Sequence, residues 1–241
     1  MQQPDEKMRH PHEEPPVNPL PPVVVALAGA VFLIEVIFLL GARGLIGGPG
    51  AVSWRRDSLL EYGFSDVAFD RMLELGIWNS DTVMRMFTYP FVHYSMGQTL
   101  FMVVLVLALG KWVAEQLPQW AVVVVFFASA IFGALVYAVV VDTPVVLVGG
   151  FPAAYGLIGA FTFLLWSRLA QSGGPQGRAF VLIGALMVFQ LIFGLIGSFL
   201  NEGPVSRDWI ADLAGFAAGL GLTIVLSPGG WQSMVARLRQ H

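Results

Sequence analysis

The chain has 241 residues, of which 56% are hydrophobic and only 12% are charged. Soluble globular domains carry about 25% charged residues, so this composition excludes an ordinary soluble domain and indicates a polytopic membrane protein. The formal net charge is -3, which leaves no basic field for nucleic acid, and the absence of cysteine excludes disulfides, thiolate metal sites and cysteine nucleophiles.

The chain begins with a polar stretch and continues with six apolar segments. Residues 1–22 are rich in proline, glutamate and histidine and lack the apolar core of a secretory signal, so we predict a disordered cytoplasmic tail. Each apolar segment is long enough to cross a hydrocarbon core about 30 Å thick, and each must be helical to pair its backbone groups in lipid. The predicted spans are 23–40, 96–117, 120–141, 150–170, 179–200 and 209–226, followed by a short tail, 227–241.

The loop 41–95 between the first two spans is too long for a simple turn. Its stretches 54–62 and 66–73 have the spacing of short amphipathic helices, so we predict a structured loop that lies in the membrane interface. Basic residues favour the cytoplasmic side, and we expect a multi-pass protein of a bacterial inner membrane with both termini cytoplasmic. The basic residues on that side are Lys7, Arg9, Lys111, Arg168, Arg178, Arg237 and Arg239.

Three short motifs follow one another along the chain. Residues 85–95 read RMFTYPFVHYS before the second span, residues 148–159 read VGGFPAAYGLIG at the start of the fourth, and residues 211–219 read ADLAGFAAG in the sixth. They resemble three signatures of the rhomboid intramembrane serine proteases: an arginine-x-phenylalanine-threonine entry, a glycine-x-serine-glycine run, and an alanine-histidine-x-x-glycine-x-x-x-glycine helix. The resemblance implies an all-α, rhomboid-like bundle of six transmembrane helices, residues 23–226, with a large structured first loop.

Several matching positions carry structural expectations. The glycine pairs lie at helical spacing on one face of the fourth and sixth spans, where missing side chains let two backbones approach. The resemblance also implies that His93 lies outside the catalytic pair, and we expect it to hold the first loop by a hydrogen bond. The positions with expected structural roles are Arg85, His93, Glu115, Gly156, Gly159, Gly215 and Gly219.

The catalytic positions of the family are occupied by residues of other chemistry. Serine proteolysis needs a hydroxyl nucleophile, an imidazole base and donors for the oxyanion. Phe151 stands at the serine position, Pro152 at the glycine that follows it, and Asp212 at the histidine position. The oxyanion-stabilising histidine and asparagine fall on Gln98, whose amide can still donate, and on Met102, which cannot. The resemblance therefore implies an inactive, pseudoprotease-type member without catalytic residues.

No other residues in the sequence supply a serine and histidine pair or a metalloprotease motif. Ser129 and Ser198 lie within other spans, where small polar residues pack helices. Ser167 lies at the far end of the fourth span, and three of the four histidines lie in the tails. The sequence contains no H-E-x-x-H motif, and we predict neither a metal nor a cofactor.

An ionisable residue within a span is costly, so Asp212 should face the bundle or a water-filled cavity. Tyr155 matches the family aromatic that packs beside the catalytic histidine, and we predict that Tyr155 lies beside Asp212, where its hydroxyl can donate to the carboxylate. We expect Gln98, Phe151, Tyr155 and Asp212 to line this cavity, and residues 201–204 resemble the cap over the family's active site. Two interpretations of Asp212 stay open: a relic polar cavity, which we favour, and a proton or ligand site.

Inactive rhomboid relatives bind transmembrane clients, and by analogy we expect a pseudoprotease that binds transmembrane client proteins in the lipid bilayer and affects their stability or trafficking. Two alternatives remain. One is a rhomboid serine endopeptidase with an unrecognised arrangement of catalytic residues, and the other is a small-ligand or proton pathway around Asp212. We expect no nucleic-acid partner, and the sequence leaves the clients and the oligomeric state open.

Overall fold

The computed structural model describes residues 19–141, 143–201 and 206–227. The predicted tails 1–22 and 227–241 therefore lie almost entirely outside the described residues, as do residues 202–204 of the predicted cap. The described parts of the chain contain nine α-helices. They are α1 (Pro22–Ala42), α2 (Trp54–Tyr62), α3 (Asp66–Leu75), α4 (Ser80–Thr88), α5 (Met96–Gln116), α6 (Gln119–Val140), α7 (Phe151–Gln171), α8 (Val181–Asn201) and α9 (Trp209–Leu226).

Five of these helices, α1, α5, α6, α7 and α9, are long and apolar enough to cross a membrane. Helix α8 occupies the fifth predicted span, and its described apolar part, together with the turn before it, is Gln176–Gln190. All six helices begin and end within two residues of the predicted spans. The prediction of an all-α, polytopic membrane protein is therefore confirmed.

The first loop is folded and lies against the connection between α6 and α7. Helices α2 and α3 occupy the two stretches that the sequence indicated. The prediction omitted α4, which begins where the Asn79 side chain accepts a hydrogen bond of 2.9 Å from the Asp81 N–H. Phe64 and Leu147 exchange two backbone hydrogen bonds, of 2.9 and 2.8 Å, in an antiparallel bridge. The loop thus rests on the segment that leads into α7.

The first span contains a carboxylate, Glu35, which is 2% exposed. The Arg55 guanidinium on α2 binds its two oxygens at 2.6 and 2.9 Å, and the Thr99 hydroxyl on α5 donates to it at 2.8 Å. Arg55 also donates to the His93 carbonyl oxygen at 2.9 Å and lies 5.2 Å from the centroid of the Phe38 ring. A buried carboxylate needs such partners, and these contacts hold the first loop against α1 and α5.

Helices α7 and α9 approach so closely that their contact has room only for glycine. A Cβ atom at Gly219 would lie 2.0 Å from the Gly156 carbonyl oxygen, and one at Gly215 would lie 2.1 Å from the Pro152 carbonyl oxygen. Gly159 lies in the same contact, against the backbone of α9. The structure therefore places the four glycines of the two motifs at a single helix contact, which small residues permit in membrane helices.

Candidate functional site

A cavity of about 680 Å³ lies between α8 and the helices α5, α7 and α9. Gln98, Phe151, Tyr155 and Asp212 all line it, so the fold brings together the four residues that we expected in one cavity. The described contacts of helix α8 with the rest of the bundle are few, and the cavity lies between them. The other lining residues are Gly97, Phe101, Leu186, Met187, Phe189, Gln190, Ser206, Asp208 and Trp209.

The backbone turn before α7 is held by contacts from two other elements. Gly149 has a φ of +95°, which favours glycine, and its N–H donates to the Tyr89 carbonyl oxygen at 3.0 Å. The Gly150 N–H donates to His93 Nε2 at 3.3 Å. A Cβ atom at Gly150 would lie 2.3 Å from the Met102 Cε atom. Met102 therefore lies beneath the turn and does not line the cavity.

The His93 imidazole is a structural acceptor. It is 2% exposed, and burial lowers the pKa of His93 to about 4, so the ring is neutral at pH 7. Its Nε2 lone pair accepts the hydrogen bond from the Gly150 N–H. His93 thus ties the end of the first loop to the turn before α7, and this nitrogen is not available as a base.

Phe151 is the first residue of α7, and its side chain lies among other rings. Its centroid is 6.1 Å from that of Phe101 and 6.3 Å from that of His93. Pro152 follows in the first turn, where a helix tolerates proline. A phenyl ring carries no group that attacks a carbonyl, and proline has no N–H to offer an oxyanion.

Asp212 is 2% exposed, and its carboxylate accepts a hydrogen bond of 2.5 Å from the Gln190 amide on α8. We predicted the Tyr155 hydroxyl as this donor. Tyr155 lines the same cavity, but the described hydrogen bond to Asp212 comes from Gln190, so the predicted donor was wrong. The sequence could have indicated Gln190 as a site residue, because it is an amide within an otherwise apolar span. Its partner depends on how α8 is rotated relative to α9, which helical periodicity does not reveal.

The described lining of the cavity includes acidic but no basic side chains. Asp208 lies immediately before α9, and burial raises the pKa of Asp208 because desolvation disfavours the charged form. Asp212 adds a second carboxylate one helical turn further along. Within residues 19–141, 143–201 and 206–227, no cluster of three or more histidine, aspartate or glutamate side chains is arranged to hold a metal ion.

Two other residues with expected structural roles lie away from the cavity. Arg85, on α4, donates to the Gly63 carbonyl oxygen at 3.3 Å and so links two parts of the first loop. Glu115 lies in the last turn of α5, at the opposite end of that helix from Gln98. Neither residue lines the cavity.

The chain matches the family model of the Rhomboid domain over residues 80–229, more than half of its length. This range includes α4 to α9 and every described residue that lines the cavity. No curated protein matches the chain.

Proposed function

Because the chain belongs to the rhomboid family of multi-pass membrane proteins, we propose that it is a pseudoprotease. It binds transmembrane segments of client proteins and affects their stability or trafficking without hydrolysing peptide bonds. One observation supports this function: Phe151 and Asp212 line one cavity, and the motif resemblance assigns these two residues to the positions of the family's serine and histidine. Fold alone does not assign an activity, so the side chains of this cavity are the basis.

Serine proteolysis needs a hydroxyl group beside a base. Phe151 supplies an aromatic ring instead, and this ring packs near those of Phe101 and His93. The Asp212 carboxylate accepts its hydrogen bond from the Gln190 amide. A side-chain amide donates hydrogen bonds but does not ionise, so it cannot replace the serine hydroxyl. These contacts support the proposal that this cavity lacks the serine and histidine pair with which the family transfers a proton.

The cavity has features that suit a transmembrane client. Most of its described walls are apolar, and it borders α8, whose described contacts with the bundle are few. A client helix that unwinds there needs polar partners for its freed backbone groups. Gln98 accepts a hydrogen bond of 3.1 Å from the Tyr94 N–H through its Oε1 atom, which leaves its NH₂ group to donate to a client carbonyl oxygen.

We also propose a bacterial inner-membrane location with cytoplasmic termini. Lys111, Arg168 and Arg178 all lie towards the helix ends opposite to the cavity. Basic residues accumulate on the cytoplasmic side of membrane proteins. The cavity and the first loop then lie on the outer side.

The enzyme alternative has one specific candidate. Ser206 lines the cavity, and its hydroxyl oxygen accepts a hydrogen bond of 3.3 Å from the Asp208 N–H. Its activation would require a cavity carboxylate as the general base, in place of the family's histidine. A fluorophosphonate probe separates the two functions, because it reacts with activated serines.

The test uses the full-length protein in lipid nanodiscs with a panel of single-span helices as clients. A photoreactive amino acid replaces either Phe101, in the cavity, or Val139, which is 83% exposed on α6. We expect client cross-links at the first position only, with neither cleavage nor fluorophosphonate labelling. Cleavage or labelling that Ser206→Ala removes would establish the protease instead. Equal cross-linking at both positions would exclude the cavity as the binding site.

A further inference from the structure

The cavity is rich in hydrogen-bond acceptors. Asp208 and Asp212 contribute carboxylates. The Oε1 atom of Gln190 is shielded from solvent and has no hydrogen-bond partner among the described residues. A buried acceptor without a donor is costly, so the described residues around Gln190 supply fewer donors than acceptors.

The cavity also has aromatic walls. Phe101, Phe151, Tyr155 and Trp209 line it together with the two carboxylates. The faces of aromatic rings attract cations within about 6 Å, and more strongly where water is excluded. The ammonium of lysine and the guanidinium of arginine carry donors and no acceptor. A cationic side chain therefore matches both the acceptors and the aromatic walls.

Among the residues that the structure describes, none that lines the cavity carries a positive charge. Arg207 precedes Asp208, but it is exposed and does not line the cavity. The described ion pair of the protein joins Arg55 to Glu35, at the attachment of the first loop. Burial raises the pKa of Asp208, and hydrogen bonds from the Ser206 and Tyr137 side chains oppose this shift without adding a positive charge. The positive charge is therefore left for a ligand to provide.

We propose that the cavity binds a lysine or arginine side chain of a client transmembrane helix, near the client's outer end. This rests on the proposed function and names the chemistry of the client. Asp208 directly precedes α9 and Asp212 lies one turn further on, so both carboxylates lie just inside the end of the bundle that carries the first loop. A basic residue at this depth is costly in lipid, and the carboxylates offer it a better environment.

The volume and position of the cavity favour a helix over a free amine. At about 680 Å³, the cavity accommodates the residues that flank a basic side chain as well as its charged end. Its apolar walls include Leu186 and Met187 of α8, which suit the apolar neighbours of a basic residue within a membrane span. A client therefore contributes both the charge and the apolar contacts.

The test compares matched clients on the full-length protein in nanodiscs of phosphatidylglycerol, which has no amine in its headgroup. The clients are single-span peptides with a lysine one turn inside the outer end, a methionine at that place, or a lysine one turn inside the opposite end. We expect the first client to bind roughly tenfold more tightly than the others in a fluorescence-transfer titration. Asp212→Asn and Asp208→Asn should each reduce this ratio, whereas Asp70→Asn, an exposed carboxylate on α3, should not.

The outcomes separate the two proposals. Equal affinity for the outer lysine and methionine clients would overturn the cation proposal and leave client binding intact, whereas binding of neither client would overturn both. A lysine preference that survives in the Asp208→Asn and Asp212→Asn double variant would exclude the carboxylates as its cause. Loss of the preference when phosphatidylethanolamine is added would assign the site to a lipid headgroup and overturn the proposal. The comparison of clients on the unchanged protein holds even where a variant fails to fold.

Discussion

Helices α7 and α9 pack tightly on one face and border the cavity on another. On the packed face, Gly156 and Gly219 bring one backbone against the other. On the other face, Phe151 and Asp212 line the cavity. The packed face depends on the absence of side chains, whereas catalysis depends on particular side chains. The second face can therefore change its chemistry while the first preserves the fold.

A substitution on the packed face has the largest expected effect. Gly219→Leu adds a side chain where a Cβ atom alone would lie 2.0 Å from the Gly156 carbonyl oxygen, so α7 and α9 must separate. We expect a loss of stability above the ~1–3 kcal/mol of ordinary overpacking, with little folded protein in detergent. Gly221→Leu is the matched control, because a Cβ atom there meets nothing within 4 Å. Equal thermal unfolding of the two variants would contradict the close contact.

A substitution at the attachment of the first loop has the next largest expected effect. This attachment positions the turn before α7, from which both faces of that helix follow. Glu35→Ala removes the acceptor of Arg55 and Thr99. Because Arg55 is 24% exposed, we expect a loss of about 2 kcal/mol, below the ~3–5 kcal/mol of a fully buried pair. Denaturant titration measures this loss, with Asp57→Ala, an exposed acid on α2, as the control. An unchanged free energy of unfolding would mean that other contacts hold the loop.

A substitution on the cavity face has the smallest expected effect. It is compared directly with the same substitution at a phenylalanine in the core. Phe126 on α6 is 0% exposed, so Phe126→Ala should cost about 3–5 kcal/mol. Phe151→Ala removes a side chain that already borders open space, and we expect a cost below about 2 kcal/mol. Both costs are measured by the same denaturant titration. Equal costs would place Phe151 in the core and remove the distinction between the two faces.

Hydropathy predicted the membrane helices closely because lipid allows few alternatives for an unpaired backbone. The short helix α4 was missed, since nine residues carry a weak periodic signal, although its cap residue Asn79 was visible. The pair of Glu35 and Arg55 was also missed. It joins a membrane span to the first loop, and neither residue indicates the other from its position in the chain.

Residue types alone established that the chain crosses the membrane repeatedly and that Phe151 and Asp212 lack the hydroxyl and imidazole of a serine protease. Three-dimensional packing decided which polar groups meet. It paired Asp212 with Gln190, although Tyr155 was the expected donor. The reason is geometric: helical periodicity assigns each residue to a face of its own helix, whereas the rotation and depth of the neighbouring helix depend on the packing of the whole bundle.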